Sequence, residues 1–305
     1  MVLGIVLIYA TCFVSIKAGL QFAPPLLFGG LRALIGGTAL LAVAAGSRQP
    51  LGLPRGVWWS VALLALLATT VSFGGMFLSP GRSGAGIASV LGNLQPLMVV
   101  VLAATLLGET LSSGKLLALG LGLAGVLLIS SPELISPGAY GISGAAFAVA
   151  SSFGTAAGSI IVKRIGDRVS LLALAGWQLV IGSLPLLIAG AIAEHRTIEW
   201  SGEFIALLLF LALAGTSLSS AVWYWLVRTA DDVGRLTLFL YLIPVIGLAL
   251  AFVVFGERLS VPEVAGVVLV IAGMALTWRM PEAAGGHHGA VSVDRTPLTA
   301  AAPVD

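Results

Sequence analysis

Two basic side chains in this sequence stand where charge is costly: Lys17 and Arg32 both fall inside long apolar runs. A cation placed in hydrocarbon is retained mainly where it meets a substrate, an ion or a buried partner. In helical geometry they lie about 5 Å and 9 Å from the nearer ends of their runs. Either could therefore project into a cavity and hold a carboxylate or a phosphate, or else snorkel to the headgroups. Two amides, Asn93 and Gln95, immediately precede Pro96. Proline removes a helical hydrogen bond and frees a carbonyl, so polar groups are expected to gather there. Tyr241 precedes Pro244 in a similar setting, and Gln178 beside Trp177 is a further polar position within an apolar run. Lys17, Arg32, Asn93, Gln95, Gln178 and Tyr241 are the candidate substrate-binding residues. Pro96 and Pro244 are candidate hinges, each competing with a kink that only packs helices.

Carboxylates are placed differently. Glu109 and Glu257 each follow a glycine and precede a Leu-Ser pair, in GETLS at 108–112 and GERLS at 256–260. A carboxylate at a helix C-terminus opposes the macrodipole, so the glycine is read as the stop and the glutamate as leading into the next helix. Ser112 and Ser260 supply caps. Turn structure is the first reading of Glu109 and Glu257, and gating the second. No Asp or Glu sits in the middle of an apolar run, so an intramembrane proton relay is not visible. Facilitated movement down a gradient, or exchange, is the simpler expectation.

Enzyme chemistry fails on inventory. Outside the tail the one histidine is His195, in a polar loop with Glu194 and Arg196, so a Ser-His pair at membrane depth is not available. The segment GETLSSGKL has the wrong glycine spacing for a phosphate loop, and Leu116 stands where Ser or Thr is required. Cys12 has no partner for a disulfide or a metal site, and His287-His288 lack further ligands. No cofactor and no metal are expected.

These residues need helices to hold them, and the composition says in which solvent. Of 305 residues, 58% are hydrophobic and 9% charged, with a mean hydropathy of +1.08. A soluble domain is about 25% charged, so lipid is the solvent. A net charge of +2 is too small to favour nucleic acid. Stretches of about 20 apolar residues occur at 2–20, 26–46, 57–79, 84–107, 113–131, 139–162, 170–192, 204–227, 236–255 and 261–279. Prolines, glycines and Asp231-Asp232 punctuate the gaps. Ser260, Pro262 and Glu263 form a capping-box pattern. The first run lacks a basic leader and a cleavage site and reads as a retained span. Residues 281–305 are small and polar and read as a disordered cytoplasmic tail.

Basic residues orient the spans. With the N-terminus cytoplasmic, ten Lys and Arg lie inside: Arg48, Arg55, Lys115, Lys163, Arg164, Arg168, Arg228, Arg235, Arg279 and Arg295. The other face has Arg82, Arg196 and Arg258, with Lys17 and Arg32 within helices. Both termini are therefore expected inside an inner or plasma membrane.

The two halves are related. Residues 94–125 align with 242–273 at an offset of 148, with eleven of 32 positions identical, including Pro96 with Pro244 and Gly108-Glu109 with Gly256-Glu257. At an offset of 146, Gly30 pairs with Gly176, Gly36 with Gly182, and Arg32 with Gln178. Five spans per copy is odd, so the second copy enters from the opposite side, as an inverted-topology repeat. Such pairs commonly build carriers with a midplane site. The fold expected is an all-α membrane protein of ten helices, in repeats over 1–131 and 139–280.

Ten spans in two such repeats, Arg32 in the second, Pro96 in the fourth and the repeated G-E-x-L-S turn resemble the drug/metabolite transporter superfamily, and within it the EamA-type exporters. The resemblance covers residues 1–280. It implies outward transport of amino acids, related metabolites or toxic small molecules through a central cavity lined by both repeats. This chain departs from the pattern in lacking a basic head before the first span. The expected partners are a small-molecule substrate and membrane lipid, with homo-oligomerisation left open. A channel or a non-transporting receptor component is the reading of a different class.

Overall fold

The computed structural model describes residues 2–79, 90–131, 142–255 and 260–279. Among them every regular element is helical. The helices, numbered α1–α10 in chain order, are Val2–Gly19, Pro25–Gly46, Arg55–Leu78, Val90–Leu106, Ser113–Ile129, Ile142–Ile165, Leu171–Ala193, Gly202–Thr229, Val233–Phe255 and Val261–Arg279. Seven segments are long and apolar enough to cross a membrane; α4, α5 and α9 are the shorter apolar ones.

Local signals end these helices as the sequence predicts. Pro25 opens α2 at the position where a missing N–H costs nothing. Gly108 takes φ +72° just past α4, the left-handed stop that favours glycine. Ser112 accepts from the Lys115 N–H at 3.2 Å, and Glu263 accepts from both the Ser260 N–H and its hydroxyl. Trp59, Trp200, Trp225 and Trp278 lie exposed, while Trp223 is buried and donates to Ser159 Oγ at 3.2 Å. The first four suit interface anchoring.

Lipid gives helices no hydrophobic reason to associate, so small residues that permit close packing decide which helices meet. The two most extensive contacts join α2 to α7 and α5 to α10, and glycines line both. A Cβ at Gly30 would fall 2.8 Å from the Leu187 side chain, and one at Gly176 would fall 2.7 Å from that of Leu41. The first pair becomes the second when 146 is added to Gly30 and subtracted from Leu187. The same exchange relates Gly36 against Ala212 and Thr216 to Gly182 against Ala65 and Thr69, within one residue. In α5 and α10, with 148, it relates Gly125 against the Gly266 carbonyl to Gly273 against that of Ala118.

Two helices depart from regular α geometry at matching places. α3 contains a π-helical stretch at Ala65–Val71, and α8 one at Leu213–Leu218. Hydroxyls five residues on donate into these wider turns: Thr216 to the Leu211 carbonyl at 2.9 Å and Ser217 to that of Ala212 at 2.9 Å. π-bulges of this kind gather at functional positions.

α4 and α9 also differ from the expected simple kinks. α4 breaks in a turn at Asn93-Leu94 and resumes as α-helix over Gln95–Leu106, with Pro96 in its first turn. α9 runs as Val233–Thr237, a 3-10 turn at Leu238–Tyr241, then Leu242–Phe255, with Pro244 in the resumed first turn. Each proline thus begins a helix rather than bending one, because a first-turn N–H has no intrahelical partner to lose. The Ser152 hydroxyl on α6 reaches the Leu91 and Gly92 carbonyls, each at 2.8 Å, at the α4 break.

Candidate functional site

Arg32 is the most constrained candidate. Its residue is 4% exposed. Nε donates to Thr216 Oγ1 at 2.7 Å, and Nη2 donates to the Gly215 carbonyl at 2.9 Å, both in the π stretch of α8. Phe73 of α3 stacks on the guanidinium at 5.1 Å. Tyr9 and Cys12 of α1 complete the electrostatic surroundings. Nη1 is buried with no hydrogen-bond partner. Among the described residues no carboxylate forms an ion pair with Arg32. A cation over an aromatic face is stabilised there, but its charge is not neutralised.

Gln178, paired with Arg32 by sequence, occupies the corresponding place on α7. Its Nε2 donates to Thr69 Oγ1 in the π stretch of α3, and its Oε1 accepts from the Tyr224 hydroxyl at 2.8 Å. Thr69 and Thr216 are 147 residues apart, as are Thr70 and Ser217, within one residue of the offset that pairs Arg32 with Gln178. Thr70 donates to the Gly182 carbonyl at 2.8 Å, and Ser217 donates to that of Gly36 at 2.8 Å. Two matched polar contacts therefore cross the middle of the bundle. One ends in an amide whose nitrogen and oxygen each have a partner and the other in a guanidinium with one nitrogen unpartnered.

The remaining candidates are dispersed. Tyr241 is buried against Gly122 of α5, and its hydroxyl has no hydrogen-bond partner. Asn93 and Gln95 flank the α4 break and are partly exposed. Lys17 lies exposed in the last turn of α1, away from the Arg32 surroundings. Glu257 lies outside the described residues.

Glu109 does more than lead into α5. Its carboxylate accepts from the Val233 and Gly234 N–H groups at 2.7 and 3.0 Å, capping α9 of the other half. Lys115, 2% exposed, lies with Nζ 2.7 Å from Asp232 Oδ2 and 3.4 Å from Glu109 Oε2. Burial, then the hydrogen bond shared with Asp232, raises the Glu109 carboxyl. Burial also pushes Asp232 upward, but the hydrogen bonds of Glu109, Lys115 and the Arg235 N–H outweigh it and leave Asp232 lowered. At the other end of the bundle Glu194, just past α7, accepts from the Leu26 and Leu27 N–H groups at 2.8 and 3.0 Å. Each half thus caps a helix of the other, where a carboxylate is favoured by the helix dipole.

Of the residues at these contacts the sequence singled out Arg32, Gln178 and Tyr241 but not Thr69, Thr216, Tyr9 or Asp232. The two threonines could have been found by extending the internal alignment through the third and eighth spans.

The EamA-like transporter family matches residues 1–131 and 142–279. The uncharacterized transporter YvbV of Bacillus subtilis is 32% identical over 85% of this chain and 84% of its own. A protein of Salmonella typhimurium named a probable amino-acid metabolite efflux pump is 31% identical over 88% of this chain and 91% of its own. Its namesake in Escherichia coli is 28% identical over 90% and 94%. A crystal structure superposes with a TM-score of 0.77 over 90% of this chain and 94% of that one, at 21% identity, which bears on the fold alone.

Proposed function

The chain belongs to the EamA-like transporter family, and we propose that it is a secondary exporter of small organic metabolites such as amino acids or drug-like compounds. It is read as ten spans in two inverted five-helix repeats, 1–131 and 139–280, with residues 281–305 as a cytoplasmic tail. The proposed cycle rocks one repeat against the other around a midplane cavity, exposing it to each face in turn.

The observation that carries this reading is the exchange of contacts between matched residues. Gly30 with Leu187 and Gly176 with Leu41, and Gly125 with Gly266 and Ala118 with Gly273, are what a pseudo-two-fold axis between α2 and α7 and between α5 and α10 produces. The matched breaks in α4 and α9 support it further, because discontinuous helices near the bilayer midplane recur at the binding sites of such carriers. The names of the Salmonella and Escherichia relatives favour amino-acid metabolites as cargo. Arg32, Gln178, Tyr241, Asn93 and Gln95 remain the proposed binding residues; Lys17, exposed at a helix end, is left out.

An inner or plasma membrane with both termini cytoplasmic is supported by the way end groups sort. Lys115, Arg164, Arg228 and Arg235 gather at one end, with Arg164 donating to the Leu106 carbonyl and Arg228 to that of Val169. Glu194, Arg196 and Glu199 make their contacts to residues 20–27 at the other.

Counterflow in proteoliposomes across a metabolite library tests the carrier cycle. A carrier gives faster exchange of labelled substrate when unlabelled substrate is present on the far side. A pore gives no such acceleration, and that result would refute the proposal.

A further inference from the structure

We propose that the transported molecule carries a carboxylate and that Arg32 is the residue that selects it. This deepens the exporter reading and rests on it. Arg32 and Gln178 stand at equivalent positions, each donating to a threonine, Thr216 or Thr69, in a π stretch of the opposite half. In the Gln178 half the amide oxygen is partnered from within, by the Tyr224 hydroxyl. In the Arg32 half, Nε and Nη2 are satisfied by Thr216 and Gly215, while Nη1 has no partner although it is buried.

Leaving a buried charged donor unmet is costly, more so than for a neutral group, and a guanidinium cannot escape the cost by losing its proton. Its surroundings offer an aromatic face at Phe73, a phenol at Tyr9 and a thiol at Cys12, but no counter-charge among the described residues. What this site lacks is one acceptor bearing one negative charge. A carboxylate supplies it in a planar, charge-assisted contact. A phosphate dianion would bring a second charge with no second cation described at Arg32. Tyr9 lies within electrostatic reach of both Arg32 and Tyr224, and Tyr224 in turn lies within reach of Arg228. Arg32 thereby breaks the symmetry of the two halves and gives the centre a positive pole.

The test uses the full chain in lipid nanodiscs with benzoate, the twenty amino acids and the matching carboxamides, with chloride and inorganic phosphate as competing anions. Ligand-induced thermal stabilisation is titrated for wild type, Arg32→Gln, Arg32→Lys and Lys17→Gln. The expected result is binding of at least one carboxylate about tenfold to a hundredfold tighter than its amide, the range of one charge-assisted hydrogen bond. Arg32→Gln should erase that ratio, Arg32→Lys should preserve a reduced one, and Lys17→Gln, at an exposed helix end, should leave the preference for carboxylate in place. If wild type binds amides and carboxylates alike, or Arg32→Gln keeps the ratio, the inference fails. It also fails if phosphate or chloride competes as well as benzoate. The wild-type comparison decides the matter even if a variant does not fold. Counterflow separates the two levels: exchange that treats acids and amides equally sinks only this inference, whereas no accelerated exchange of any compound sinks the carrier reading.

Discussion

Neutralising Asp232 should cost the protein more than neutralising Glu109, although both carboxylates face the same lysine. Asp232 approaches Lys115 Nζ with both oxygens, at 2.7 and 2.9 Å, while Glu109 stands at 3.4 Å. Asp232→Asn keeps an oxygen to cap α9, since Asp232 Oδ1 accepts from the Arg235 N–H, but it removes the closer charge from a buried ammonium. One charge-assisted hydrogen bond is worth about 1.5–3 kcal/mol. Glu109→Gln leaves Lys115 its closer partner and loses one of the two N–H acceptors at Val233 and Gly234, about 1 kcal/mol.

The pH dependence separates the two further. Glu109 is raised in the folded protein, so its contribution is full below its unfolded value of about 4.3 and is lost as pH rises through the raised value. Asp232 is lowered, so its contribution is present above about 3.9 and is lost as pH falls through the lowered value. Glutamine does not titrate, so the penalty of Glu109→Gln should shrink as pH rises, while that of Asp232→Asn stays full at neutral pH. Thermal unfolding in nanodiscs across a pH series rising from about 4.3, the ordinary value of a glutamate, reads both effects. Equal penalties at neutral pH, or a Glu109→Gln penalty that grows with pH, would refute the reasoning.

Alanine at Gly30 and at Gly176 should destabilise by similar amounts, each about 1–3 kcal/mol, because the added carbons meet Leu187 and Leu41 at 2.8 and 2.7 Å. Thermal unfolding of the two variants checks this, and one neutral partner would speak against the two-fold relation. Tags on residue 305 and in loop 194–203 should label from opposite faces of the membrane; labelling from one face overturns the proposed topology. Thr216→Val should weaken carboxylate binding by freeing Nε of Arg32, whereas Thr69→Val should leave the ratio of acid to amide unchanged, both read by the same titration as above.

The helices and their ends were legible in the sequence because they rest on local features. Gly108, Ser112 and Ser260 with Glu263 act within one turn of their own residues, and apolar runs of membrane length declare themselves. The centre was legible in part: an arginine in hydrocarbon marks itself, and the internal alignment set Gln178 opposite it. What could not be read was reach across the halves. Glu109 was expected to serve the helix that follows it, yet it caps Val233 and Gly234, over a hundred residues away. The α4 helix breaks before its proline where the Ser152 hydroxyl meets the Leu91 and Gly92 carbonyls, a contact no local pattern encodes. The π turns follow from hydroxyls whose spacing of five becomes visible only once the chain is folded.

Those turns have a mechanical consequence. A π turn holds one residue more than the α-helix would, and each residue in an α-helix subtends about 100° and advances about 1.5 Å. α3 and α8 therefore each store a fixed slip between their upper and lower halves, pinned by Thr70 and Gly182 in one case and by Ser217 and Gly36 in the other. Releasing one pin while the other holds would turn half of one helix relative to the rest. It would carry Thr69 or Thr216, and with it Gln178 or Arg32, out of register. The bundle thus contains two opposed detents at its centre, each set against the helix of the other half.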